Sequence, residues 1–145
     1  MTKRKQPVWL EAAVLIAVHT MLIAEHGGAA GIRDRGLLES ALARPANLWH
    51  YGNPNIFELA AAYTAGIAYN HPFLDGNKRA SFMAAYIFLH RNGYELRMTE
   101  AETVLVMRKL AAGEFTEQQL ALWFAPNSQR RPRRAAKPNP RSRRT

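Results

Sequence analysis

Residues 71–79 read His71-Pro72-Phe73-Leu74-Asp75-Gly76-Asn77-Lys78-Arg79, and the segments on either side of them decide the fold. Upstream, Ile56 to Asn70 is apolar around most of its circumference through Phe57, Leu59, Ala60, Tyr63, Ile67 and Ala68. A helix with so little polar face belongs at the centre of a bundle. Downstream, Ala80 to His90 fills nearly every position with small or apolar residues and contains neither Gly nor Pro, which predicts a second helix. The two make a core pair, and residues 71–79 form the loop between them. Gly76 then sits where loop becomes helix, and the first N–H groups of a helix lack partners while its dipole favours negative charge. Lys78 and Arg79 add positive charge at that point. Asp75 is a hard carboxylate able to hold Mg²⁺ beside phosphates, and His71 accepts a proton near neutral pH. These parts suit phosphoryl or nucleotidyl transfer to a hydroxyl.

The remaining segments also read as helices. Pro7 suits a first helical position, and Trp9, Ala12, Ala13, Leu15, Ile16, Val18 and Leu22 predict a mostly buried helix that Gly27-Gly28 closes. Asp34 is a plausible N-cap for a short helix Gly36–Ala43, stopped by Pro45. Ala46 to Asn55 reads as a loop whose aromatics, Trp49 and Tyr51, either face a substrate or pin the loop to the core. Tyr94 to Met98 is a short extended link. Thr99 with Glu102, and Thr116 with Gln119, are capping boxes that open two further helices, the first ending at Ala112 and Gly113 and the second before Pro126. With no strand-rich stretch, the fold class is all-α: a compact helical bundle with the active loop between its two central helices.

Charge divides the chain in two. The 145 residues carry a formal net charge of +9, yet eight of the twenty Lys and Arg residues lie between Pro126 and Thr145, where there is no acidic residue. The rest, residues 1–125, holds twelve basic against eleven acidic residues and is nearly neutral. Residues 1–125 are therefore expected to form the domain. Residues 126–145 form an Arg/Pro-rich arm with too little apolar surface to order itself. Such an arm can attract nucleic acid or another polyanion, although no aromatic is interleaved for base stacking. The absence of Cys excludes a disulfide framework and a thiolate metal site, and fits a reducing cytoplasm. The first apolar segment is broken by Glu11 and His19, so it reads as a buried helix rather than a secretory or membrane segment.

The run His71–Arg79 resembles the signature of Fic proteins, roughly H-P-F-x-(D/E)-G-N-(G/K)-R, and Lys78 is similar to the death-on-curing (Doc) toxin branch of that family. Gly27-Gly28, the run Gly31 to Ala41, Arg44-Pro45 and Leu89 to Tyr94 are similar to segments these proteins carry around the motif, and the likeness covers about Val8 to Phe124. The resemblance implies a Fic-fold bundle and ATP as co-substrate with Mg²⁺. It implies His71 as general base, Asp75 as metal ligand, and Gly76, Asn77, Lys78 and Arg79 as nucleotide-binding residues, Lys78 and Arg79 also acting in catalysis. Residues Ala46–Asn55 are similar in position to the flap that pairs with a target segment. Family members that transfer a nucleotide usually have glycine where Lys78 stands and a second arginine where Phe82 stands. The two departures imply transfer of the γ-phosphate, with a threonine of elongation factor Tu as acceptor and arrest of translation as the result. No Glu is preceded by Ser or Thr four residues earlier, as the family's inhibitory helix would require. Restraint in trans by a Phd-like antitoxin is the expectation. The rivals are adenylyl transfer by the same fold, and an inactive Fic-fold protein that binds nucleic acid through its basic arm.

Overall fold

The structure, a computed structural model, describes residues 4–132. Among them are the helices α1 (Ala12–His26), α2 (Arg35–Tyr51), α3 (Ile56–Asn70), α4 (Asn77–Arg91), α5 (Glu100–Ala111) and α6 (Glu117–Phe124), with strand β1 (Tyr94–Leu96) after α4 and β2 (Ser128–Arg130) after α6. The expected all-α bundle is what forms, and α3 is its axis. Every residue from Leu59 to Ala68 is buried, because the small side chains there let α2, α4 and α6 pack against it from several directions. The polar groups on this axis are satisfied. The Thr64 hydroxyl donates to the Ser81 carbonyl of α4 at 2.8 Å, and the Tyr63 hydroxyl accepts from the Leu10 amide at 3.0 Å. Asn55 and Glu58 form a reciprocal capping box that starts α3.

Four expectations are corrected. The first helix begins at Ala12 rather than Pro7: residues 7–10 lie outside any helix or strand, with both the N–H and the carbonyl of Val8 hydrogen-bonded to the Asn92 side chain. Pro45 does not stop α2, which continues to Tyr51. An interior proline costs about 3 kcal/mol, but Leu38, Ala41, Leu42, Pro45 and Trp49 fall at helical spacing on one stripe that faces the core. Burial of that stripe carries the helix through. The loop expected at residues 46–55 shrinks to Gly52–Asn55, so its preceding backbone is hydrogen-bonded along the helix and cannot pair with a target strand. Trp49 is pinned between Trp9, His50 and the Arg4 guanidinium, while Tyr51 is exposed.

The fourth correction concerns the basic arm. Disorder from Pro126 onward does not hold as far as Pro132, because β2 pairs antiparallel with β1, Glu95 opposite Gln129. Asn127 and Ser128 cap the carbonyls of Trp123 and Phe124. The Arg131 amide donates to Gly93 and its guanidinium to the His90 carbonyl. Backbone pairing and caps order this polar stretch without burying apolar side chains. Residues 133–145, to which the expectation of nucleic-acid binding mainly belongs, lie outside the described residues.

Candidate active site

The loop expected to carry the chemistry begins where α3 ends. Pro72 disfavours a right-handed helical backbone at the residue before it, and His71 instead takes the left-handed conformation (φ 47°, ψ 57°) while its N–H still bonds to Ile67. It is the only non-glycine residue with positive φ among the described residues. Such a conformation costs on the order of 1–2 kcal/mol and persists only where neighbours impose it. Arg33 is that neighbour: its Nε donates to the His71 carbonyl at 2.7 Å and its Nη2 to the Asn70 carbonyl at 2.8 Å. The segment around it pairs with the loop like a strand. The amides of Arg33 and Asp34 both donate to the Pro72 carbonyl, Ile32 bridges Phe73, and the Leu74 amide donates to Gly31.

Asn77 holds the loop from the other side. Its Oδ1 accepts from the Phe73 amide and its Nδ2 donates to the Phe73 carbonyl, each at 3.0 Å. The side chain assigned to nucleotide binding thus has a definite structural task, folding the loop around the buried Phe73 ring. Asp75 is seated by α1's far end, where its Oδ2 accepts from the Ala29 amide at 3.1 Å. Gly27 is the C-cap of α1, as expected, but Gly28 serves a different end. A Cβ there would stand 3.0 Å from Asp75 Oδ2, so the missing side chain makes room for the carboxylate. Gly76 has φ 74° and ψ 19° and opens α4 three residues earlier than the apolar pattern predicts.

His71, Asp75, Gly76, Asn77, Lys78 and Arg79 all line one cavity of about 870 Å³. Its opposite wall comes from Met98 and from Glu100, Thr103, Val104, Met107 and Arg108 of α5, with Phe82 and Met83 of α4 between. Among the described residues, the N–H groups of Gly76 to Arg79 have no hydrogen-bond acceptor, and the first helical bond runs from the Ala80 amide to Gly76. Four donors, two cations and the positive end of a helix therefore face a space of nucleotide size. No group of three or more His, Cys, Asp or Glu side chains is assembled to hold a metal ion among the described residues. Asp75 on the loop and Glu100 on α5 are the carboxylates that line the cavity. That fits Mg²⁺ arriving with a phosphate chain rather than a resident metal caged by protein.

The site residues expected from sequence all line this cavity; Arg33 and His19, which hold the loop without lining it, carried no expectation of that task. Arg33 stood within the Gly31–Ala41 run, and His19 is a lone imidazole on an apolar helix; neither pattern states which carbonyl the side chain will reach.

Residues 9–89 match the family described as the Fic/DOC family. The chain is 45% identical over 73 residues to Toxin Doc of Mycolicibacterium smegmatis, covering 48% of this chain and 55% of that protein. It is 36% identical over 83 residues to Protein kinase doc of Escherichia phage P1, covering 57% of this chain and 66% of that protein. The matches thus span between about half and two thirds of these relatives' lengths. With the family match running from α1 through most of α4 and taking in the whole His71–Arg79 loop, this chain belongs to the Fic/DOC family.

Proposed function

We propose that the chain is a Doc-type toxin of a toxin–antitoxin pair: a kinase that moves the γ-phosphate of ATP to a protein hydroxyl. The observation that carries this is the convergence of His71, Asp75, Lys78 and Arg79 on one cavity at the open N-terminus of α4. The kinase named among its relatives supports the choice of reaction. His71 takes the proton of the attacking hydroxyl as its oxygen bonds to the γ-phosphorus. The bond from that phosphorus to the β–γ bridging oxygen breaks, and ADP leaves with the electron pair. Arg79 clamps phosphate oxygens and Lys78 adds a second positive charge, both stabilising the charge on the group in transit. Gly76 and Asn77 contribute backbone N–H donors. Asp75 would hold Mg²⁺, which supplies further neutralisation of the phosphates.

Lys78 and Phe82 both line the cavity. A lysine side chain where nucleotide-transferring members have glycine crowds the approach of an α-phosphate, and Phe82 offers no guanidinium for one. Both residues favour phosphoryl over adenylyl transfer. The acceptor in this reading is a threonine of elongation factor Tu, the compartment is the cytoplasm, and the restraining partner is a Phd-like antitoxin. No helix among the described residues is long and apolar enough to cross a membrane.

The test incubates the wild type and His71→Ala with Mg²⁺, ATP and elongation factor Tu and reads the target's mass. A gain of about 80 Da, one phosphate, with the wild type alone is the expected result. An adenylyl gain would keep the site and replace the reaction. No gain would remove elongation factor Tu as the target.

A further inference from the structure

His19 is a buried histidine, 2% exposed, on the inner face of α1, and the chemistry above does not use it. Its ring stacks on Phe73 with centroids 3.8 Å apart and planes 8° from parallel. Its Nε2 lies 2.7 Å from the Asp75 carbonyl oxygen. A carbonyl only accepts, so Nε2 carries the hydrogen, in the neutral tautomer and in the imidazolium alike.

The Asp75 carbonyl belongs to the same planar trans peptide as the Gly76 N–H, and the two point in opposite directions. Holding the carbonyl against α1 therefore aims the Gly76 N–H away from His19. That N–H has no acceptor among the described residues, and Gly76 lines the cavity. Glycine accepts either sign of φ, so its own preferences do not stop this peptide from turning over. A turned peptide would present a carbonyl where an anion has to sit. Gly76 also leaves His19 its place, since a Cβ there would stand 3.5 Å from Nε2 and 3.2 Å from Ile23 Cδ1.

We infer that His19 is a positioning residue: by donating from Nε2 to the Asp75 carbonyl, it keeps the Gly76 N–H presented to the phosphate chain. Stacking on Phe73 fixes the ring that does so. The inference rests on the α4 N-terminus being the phosphate site, so its test separates the two. Inorganic triphosphate with Mg²⁺ is titrated calorimetrically into the full chain, and the unfolding temperature is measured on the same samples. His19→Gln keeps an N–H donor at similar reach and removes the ring; His19→Phe keeps the ring and removes the donor. Affinity should follow the donor, with Gln within about 3-fold of wild type and Phe about 10-fold weaker or more, while the unfolding temperature follows the ring. Affinity that follows the ring, or is unchanged in both, overturns the inference. If the Phe variant does not fold, His19→Met replaces it as the donor-free member, with the same expected ranking. A wild type that does not bind triphosphate removes the phosphate site itself, and the positioning role with it.

Discussion

The two walls of the cavity are built differently. The wall that holds His71 to Arg79 joins the two helices at the centre of the core, and its backbone is tied by Arg33, Asn77 and His19. The facing wall, α5, buries only Val106, Met107 and Leu110, and leaves Val104 and Leu105 about half exposed. In the proposed reaction, groups that act on a phosphate must hold their geometry within fractions of an ångström, which the tied loop provides. The part of a ligand that does not react can be met by a surface with more freedom to change. Chemistry is anchored, and what accompanies it is left to a wall that can be altered cheaply.

The contrast breaks most visibly at His71. His71→Gly should lower phosphoryl transfer at least about 100-fold, yet raise stability by about 1 kcal/mol, because glycine takes the left-handed backbone without strain. Target mass and urea midpoints read the two effects, and a destabilised variant would mean that the conformation carries no strain. Asn77→Ala removes both bonds to Phe73 and should cost about 1–3 kcal/mol along with turnover. If the urea midpoint stays put, the loop is held without it. Lys78→Gly should leave stability within about 0.5 kcal/mol while reducing γ-phosphate transfer and admitting some α-phosphate transfer, followed with ATP labelled at each position. Equal labelling before and after the change would make the lysine incidental. On the facing wall, Val104→Ser should shift nucleotide affinity only a few-fold and leave stability within about 0.5 kcal/mol; a loss as large as that of Asn77→Ala would erase the distinction between the walls.

A separate effect, visible only at high pH, lies in the core behind both. Burial pushes the Tyr63 hydroxyl up to about 12 from 10.0, against the opposing effect of the Leu10 amide. A pKa raised on folding contributes stability that is intact below the unfolded value and drains away as pH climbs through the folded one. Stability should therefore fall between pH 10 and pH 12. Tyr63→Phe, which starts about 1 kcal/mol lower because Leu10 loses its acceptor, should converge on wild type across that window. Parallel curves would contradict the assignment.

Most of this architecture was legible as pattern. The Ile56–Asn70 helix could be read from its apolar circumference, and α5 and α6 from Thr99 and Thr116, whose hydroxyls do accept from Glu102 and Gln119. The residues that line the cavity could be grouped because glycine, cations and a helix start lie close together in sequence. What stayed hidden depends on partners distant along the chain. Pro45 looked like a stop because its local cost is visible and the buried stripe that offsets it is not. Ser128–Arg130 looked disordered because its side chains are polar, while its partner strand lies more than thirty residues earlier. His19 and Arg33 act on backbone carbonyls, and every residue has one, so no residue type marks the destination.

Helix α4 has one further consequence. Its N-terminus leaves four donors open to the cavity, and its C-terminus has a carbonyl taken by Arg131, at the last stretch described before the remaining arginines of the chain. Fifteen residues of helix place these two ends about 22 Å apart. The nucleotide seat proposed at Gly76 and the Arg131 contact at His90 thus lie at opposite poles of one dipole.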